Sequence, residues 1–192
     1  VVNNYYAYTY DANGNPTKEV VYNGAGADAI WFTADDVVNR YYNSTYDANG
    51  NKTKFVNYTG AGADAIWFTV DDVVSYYYTY AYDLNGRRTM YVNYNGAGAD
   101  TTWFTSDDAV SEYSSSTYDT NGNPTKYVYY SGAGADATWF TSDDVVSTYY
   151  IFTCDANGNL TKTSRYNDAG ADATWFTVDD AVTYEAEYET SF

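Results

Sequence analysis

The segment Asn23–Asp36, NGAGADAIWFTADD, occurs in five similar copies along this chain of 192 residues. The other copies end at Asp72, Asp108, Asp144 and Asp180, so successive copies are always 36 residues apart. A fixed period of this size is typical of repeat proteins, in which each unit buries its apolar face against its neighbours.

A second motif, YDxNG, keeps the same 36-residue step, with Cys154 in place of the tyrosine in the fifth copy. The two motifs together predict five tandem repeats and one partial strand at residues 1–9. The predicted repeats are 10–45, 46–81, 82–117, 118–153 and 154–189. Because the chain starts at Val1 and not at Met, we expect a processed or excised piece.

The composition predicts β-structure, since the 26 tyrosines and many Val, Thr, Phe and Trp residues favour strands. The Asn-Gly pair between two such strands is a strong hairpin signal and predicts a type I′ turn, with positive φ at both central residues. The predicted fold class is all-β, with five tandem 36-residue β-hairpin repeats that form an extended β-solenoid-like or stacked-sheet array. We expect the inward residues to be Val20, Val56, Val92 and Val128 with Tyr22, Tyr58, Tyr94, Tyr130 and Tyr166.

The charge of the chain limits its partners. It has 26 acidic and 9 basic residues, and its net charge of -17 opposes binding to nucleic acid or to an anionic membrane. No apolar run is long enough to span a bilayer, so we expect no membrane insertion. The charge instead favours a cationic partner, and a divalent metal is the obvious one.

The YDxNG turn, followed by a Thr-Lys-aromatic-Val strand, resembles the YD repeats of the RHS family. That resemblance implies consecutive β-hairpins assembled into extended or enclosing sheets on large secreted proteins. The other half of each repeat looks like one turn of an RTX-type calcium repeat, with Gly24, Gly26, Asp28 and Ile30 in the matching places, although Asn23 replaces the first glycine. The resemblance implies calcium ligation at the Asp28-type residues.

Each long segment carries three aspartates that a Ca²⁺ ion could gather, because Ca²⁺ takes six to eight hard oxygen ligands. Three carboxylates brought together without a cation would repel one another. The alternative is turn chemistry, in which Asp28 forms an Asx-type turn and the Thr33-x-Asp35-Asp36 segment caps a short helical turn. The candidate metal ligands are Asp28, Asp35, Asp36, Asp64, Asp71, Asp72, Asp100, Asp107, Asp108, Asp136, Asp143, Asp144, Asp172, Asp179 and Asp180.

The residues argue against catalysis. The chain has no His, so a His-based nucleophile or general base is not available. The paired carboxylates recur five times, whereas an enzyme needs one differentiated site. The lack of His and the single Cys also argue against zinc or copper sites.

We therefore predict a non-catalytic, calcium-stabilised structural repeat protein, located outside a cell or on its surface and most consistent with a bacterial source. The terminal strands predict a homopolymer, in which Ala181–Phe192 of one chain pairs with Val1–Tyr10 of the next. Two alternatives remain open: a carbohydrate-binding adhesin or lectin module whose Trp and Tyr faces engage polysaccharide, and a segment of a larger RHS-like secreted protein. The residues predicted to mediate assembly are Val1, Val2, Tyr5, Tyr6, Tyr184 and Tyr188.

Overall fold

The computed structural model describes residues 2–188, which form an open antiparallel sheet whose strands follow one another in chain order. The predicted all-β class and the 36-residue hairpin repeats are confirmed, and the described residues contain no helix. The strands are β1 (Tyr5–Tyr10), β2 (Pro16–Gly24), β3 (Val37–Tyr46), β4 (Lys52–Gly60), β5 (Val73–Tyr82), β6 (Arg88–Gly96), β7 (Ala109–Tyr118), β8 (Pro124–Gly132), β9 (Val145–Cys154), β10 (Leu160–Tyr166) and β11 (Val182–Glu187).

The contacts divide the chain into two compact units. Unit 1 comprises the residues up to Tyr80 together with Asn93–Ala109, and unit 2 comprises Ala81–Val92 together with the residues from Val110 onward. In unit 1, Val56, Val74 and Tyr77 form a buried cluster against which Trp103 packs. In unit 2, Val128, Val146 and Tyr149 form the equivalent cluster, which Trp175 covers.

Strand register decides which side chains share a face of the sheet. Val20 lies opposite Tyr41, and Tyr41 lies opposite Tyr58, so these three side chains point to one face. We call it the loop face, because the tryptophans of the long loops pack there. The predicted inward valines are confirmed, with Val20, Val56, Val92 and Val128 only 4–6% exposed.

The hairpin turns occur where the YDxNG motif predicts them, but the predicted type I′ geometry is wrong. Gly14 has a φ of 84°, whereas Asn13 is not among the residues with positive φ. The Gly14 N–H donates to the Asp11 carbonyl at 3.1 Å, and the Asp11 side chain accepts the N–H groups of Asn13 and Asn15. The carboxylate therefore organises the turn, and only the glycine has to adopt the left-handed conformation.

The outermost strands are shorter than the sequence predicts. β1 begins at Tyr5 instead of Val1, and β11 spans Val182–Glu187 within the predicted Ala181–Phe192 segment, whose last four residues lie outside the described ones. In β3 the first residue, Val37, pairs with Gly24 of the preceding strand. No strand precedes β1 in the described part of the chain, so residues 2–4 lack that pairing.

Residues 2–188 include no helix long and apolar enough to cross a membrane.

Candidate functional site

Each long loop is tied by the first of its two adjacent aspartates. In the loop Asn23–Asp36, one carboxylate oxygen of Asp35 accepts the N–H of Ala27 at 2.7 Å and that of Asp28 at 3.1 Å. Its other oxygen accepts the Thr33 hydroxyl at 2.8 Å. The Thr33 hydroxyl and these backbone N–H groups hold the pKa of Asp35 below its ordinary value. The GAGAD backbone therefore folds around a carboxylate of its own loop.

The second aspartate of each loop is buried and joins the loop to a strand. Asp72 is 6% exposed, and its Oδ2 accepts the Phe68 N–H and the Tyr41 hydroxyl, both at 2.7 Å. We call the second contact the Tyr–Asp pair. It recurs with the same spacing of 31 residues and with distances of 2.6–2.7 Å in Tyr5–Asp36, Tyr77–Asp108, Tyr113–Asp144 and Tyr149–Asp180.

The tyrosine of each pair lies inside a cluster of aromatic rings. Tyr41 stacks on Tyr58 with ring centroids 4.3 Å apart, and Trp67 meets it edge-on at 6.0 Å. Phe68 tilts against the same ring at 5.0 Å. These contacts hold the Trp-Phe pair of the loop against the sheet, and they leave Tyr41 only 3% exposed.

Burial and the neighbouring carboxylate keep the hydroxyls of the Tyr–Asp pairs protonated. Both effects raise the pKa of Tyr41 well above its ordinary value of 10.0, and they raise the pKa of Tyr5 to about 12. Because a neutral hydroxyl donates and a phenolate cannot, the pair stays intact at physiological pH.

We expect an alkaline loss of stability from these tyrosines. A pKa raised in the folded state contributes stability that is fully present below the unfolded pKa of 10.0. That stability is lost as the pH rises towards the higher pKa of the folded state, because the tyrosine releases its proton at a lower pH in the unfolded chain. Urea unfolding between pH 8 and pH 11.5 should show a steep loss only above about pH 10. The loss should be shallower in Tyr41→Phe, and an equal slope in that variant would contradict the assignment.

The three predicted metal ligands of the first loop all lie near the Thr33 hydroxyl oxygen, which is 3.5 Å from Asp28 Oδ1, 2.8 Å from Asp35 Oδ1 and 3.5 Å from Asp36 Oδ1. Asp28 and Asp35 are exposed whereas Asp36 is buried, and the other four loops repeat this arrangement. Within residues 2–188, no group of three or more acidic, His or Cys side chains is placed to hold a metal ion. Asp28 accepts the Ile30 N–H at 2.8 Å, as in the Asx turn of the alternative interpretation. The carboxylates already accept hydrogen bonds within their own loop, and calcium binding stays a prediction.

The residues predicted to mediate assembly lie in different environments. Tyr6 and Tyr184 are about half exposed, at 49% and 54%, and Val2 and Tyr188 are also exposed. Tyr5 instead faces inward, where it donates to Asp36 and stacks on Tyr22. Val1 lies outside the described residues.

Sequence reasoning missed the lysines of the loop face. The Lys18 ammonium lies 4.5 Å from the ring centre of Phe68, and the Lys54 ammonium lies 3.4 Å from that of Phe104. Burial lowers the pKa of Lys54 below its ordinary value. The signal was the 36-residue step itself, because Lys occupies positions 18, 54, 126 and 162 and Met occupies position 90.

The loop face of unit 1 contains a groove with a volume of about 650 Å³. Its lining comes from two successive loops, through Phe68–Asp72 and Thr101–Phe104, and from strand residues that include Lys18, Tyr41 and Tyr58. Aromatic rings, hydroxyls, an ammonium and carboxylates therefore surround one open space. Such a mixture can bind a small polar molecule that has apolar faces.

Comparisons with known proteins give only distant similarities. No family model and no curated protein matches the chain. Among solved structures, a DUF3836 family protein from Bacteroides vulgatus is similar over 57% of this chain and 91% of its own, with 13% identity and a TM-score of 0.38. A DUF3836 family protein from Parabacteroides distasonis has 15% identity and a TM-score of 0.35, over 56% of this chain and 89% of its own. The TcdB2-TccC3-Cdc42 complex is similar over 95% of this chain and 10% of its own, with 17% identity and a TM-score of 0.36.

Because the identities and TM-scores are low, these similarities support no conclusion about function. The resemblance to RHS proteins therefore rests on the sequence motifs alone. What the chain itself shows is a Tyr–Asp hydrogen-bonded unit repeated every 36 residues.

Proposed function

We propose that this chain is a non-catalytic structural repeat element of the bacterial cell surface or exterior, and that its edge strands pair with those of further copies. The observation that carries the proposal is the fivefold recurrence of the same Tyr–Asp pair with nearly the same geometry. A unit that repeats one buried contact at every step serves to build a regular array.

The edge strands supply the means of growth. β1 and β11 are the first and last strands in the sheet order, and each pairs on one side only among the described residues. An unpaired strand edge presents backbone N–H and C=O groups to another chain. Contacts between unlike edges repeat head to tail, and they form a filament when the rotation does not close.

Edge charges test the proposed assembly. Tyr6 and Tyr184 lie on the two edge strands, so the double variant Tyr6→Lys/Tyr184→Lys should discourage pairing there. The matched control is Leu84→Lys, which adds a lysine at a fully exposed hairpin-turn position away from both edges. In sedimentation velocity at about 10–200 µM, we expect wild type and the control to form polymers that grow with concentration, and the double variant to remain monomeric.

Two results would contradict the proposal: a wild-type chain that is monomeric throughout this range, or a double variant that polymerises as wild type does. Repeating the runs with excess EGTA and with millimolar Ca²⁺ tests the predicted calcium dependence separately. Equal polymerisation in both buffers would support the proposed assembly and contradict its predicted calcium dependence.

A further inference from the structure

The groove in unit 1 carries a threonine at a position where the other four repeats carry alanine. Thr101 lines it and has a φ of 58°, a left-handed conformation that is unusual for a β-branched residue. The other four copies carry alanine at this position, as Ala29, Ala65, Ala137 and Ala173. Those alanines have a similar φ of 54–57°, so at this position the groove differs from the other repeats in the threonine side chain and not in the backbone.

One polar group of the groove has unused bonding capacity. The Lys18 ammonium makes no ion pair in the part of the chain described, and its contacts there are with the Tyr41 and Phe68 rings.

Aromatic side chains supply the apolar part of the lining. Trp103 and Phe104 come from one loop and Phe68 from the preceding one, and both phenylalanines are more than 40% exposed. A ligand with an apolar face could pack against these rings while its polar edge reached Lys18 and the exposed Asp71 carboxylate. A volume of about 650 Å³ is within the range of ordinary small-ligand sites.

We propose that this groove binds a hexopyranose unit of a neutral glycan. A pyranose ring has C–H faces that pack on aromatic rings and hydroxyls that both donate and accept. Its hydroxyls can donate to the exposed Asp71 carboxylate and to the Thr102 hydroxyl oxygen, and they can accept from the Lys18 ammonium. Asp71, Asp72 and the net charge of -17 disfavour an acidic sugar, which one lysine cannot offset.

Substitutions that already occur elsewhere in the chain test this proposal with little risk to folding. Lys18→Met gives position 18 the residue found at the equivalent position 90, and Thr101→Ala restores the residue of the other four copies. The matched control is Lys126→Met, which removes the equivalent lysine from unit 2. Circular dichroism and thermal unfolding of each variant check that the fold is kept.

The probes are hexasaccharides of β-1,4-glucan, α-1,4-glucan, α-mannan and β-galactan, with hexagalacturonate as the acidic comparison. We expect at least one neutral hexasaccharide to shift the Trp103 indole N–H signal in NMR titrations and to bind more tightly than hexagalacturonate. Lys18→Met and Thr101→Ala should each raise its Kd, the first by at least about tenfold, and Lys126→Met should leave it unchanged. Failure of all four neutral probes, tighter binding of hexagalacturonate, or an equal loss in Lys126→Met would overturn the proposal.

Discussion

Replacing Asp144 by alanine should lower the free energy of unfolding by about 3–5 kcal/mol. Its Oδ2 accepts the Tyr113 hydroxyl at 2.7 Å, the Phe140 N–H at 2.7 Å and the Thr141 N–H at 3.2 Å. Asp144 is only 7% exposed, so water cannot readily replace the lost acceptor. Truncation leaves several donors without a partner and also removes the link between the loop and β7.

The same loop provides matched controls. Asp143 and Asp136 are exposed, although Asp143 also accepts two backbone N–H groups, from Ala135 and Asp136. Water can solvate the groups that Asp143→Ala or Asp136→Ala would release, so both variants should cost much less than Asp144→Ala. Urea unfolding followed by Trp fluorescence gives the three free energies under identical conditions.

The order of the three effects separates hydrogen-bonded turns from calcium binding. If turn chemistry holds the loop, Asp144→Ala is the most damaging change in EGTA and in millimolar Ca²⁺ alike. If a calcium ion joins the three carboxylates, each single change should cost a similar amount in Ca²⁺, and the differences from wild type should shrink in EGTA. Equal costs that appear only with calcium would overturn the hydrogen-bond account.

Tyr113→Phe isolates one contact of the same site. The phenylalanine keeps the ring that stacks on Tyr130 at 4.2 Å and removes only the hydroxyl that donates to Asp144. We expect a loss of about 1.5–3 kcal/mol, the range for a hydrogen bond to a charged group. The double variant Tyr113→Phe/Asp144→Ala should lose less than the sum of the single changes, because the two side chains form one interaction.

The sequence predicted the fold well because its period and its turn residues are strong local signals. The 36-residue step located every hairpin, and strand alternation selected the buried valines correctly, as at Val56 and Val128. The turn type was wrong because the Asp47 side chain, which accepts the N–H groups of Asn49 and Asn51, stabilises a turn in which Gly50 alone needs positive φ. Local motif statistics do not include that side-chain contact.

The site was harder to predict than the fold, because equal spacing does not show where side chains point. Asp71 and Asp72 are adjacent in sequence, yet the first caps its own loop from an exposed position and the second is buried against Tyr41. The partner of each carboxylate comes from the tertiary packing of loop on sheet. The fixed separation of 31 residues between Tyr41-type and Asp72-type positions was visible in the sequence, but many other pairs of repeat positions are separated just as regularly.

Gly26→Ala, which adds a single methyl group, should be among the most damaging changes to the array. We expect it to lower the free energy of unfolding by at least about 3 kcal/mol. Gly26 has a φ of 66°, and an added Cβ would lie less than 3.0 Å from the Asp35 carbonyl oxygen and side chain. Neither can move freely, because the Asp35 carboxylate accepts the N–H groups of Ala27 and Asp28. The alanine would therefore force open the contact that shapes the loop.

Gly14→Ala is the control that separates crowding from backbone conformation. Gly14 has a φ of 84°, but an added Cβ there would have no atom within 4 Å. The free energy of unfolding of Gly14→Ala should fall by only about 1–2 kcal/mol, which is the cost of placing a side chain in the left-handed region. Ala29, at a φ of 57° in the Gly26 loop, shows that this region tolerates a methyl group where space allows. Chemical unfolding of both variants provides the comparison, and equal losses would mean that the close approach of Asp35 to Gly26 does not hold the loop.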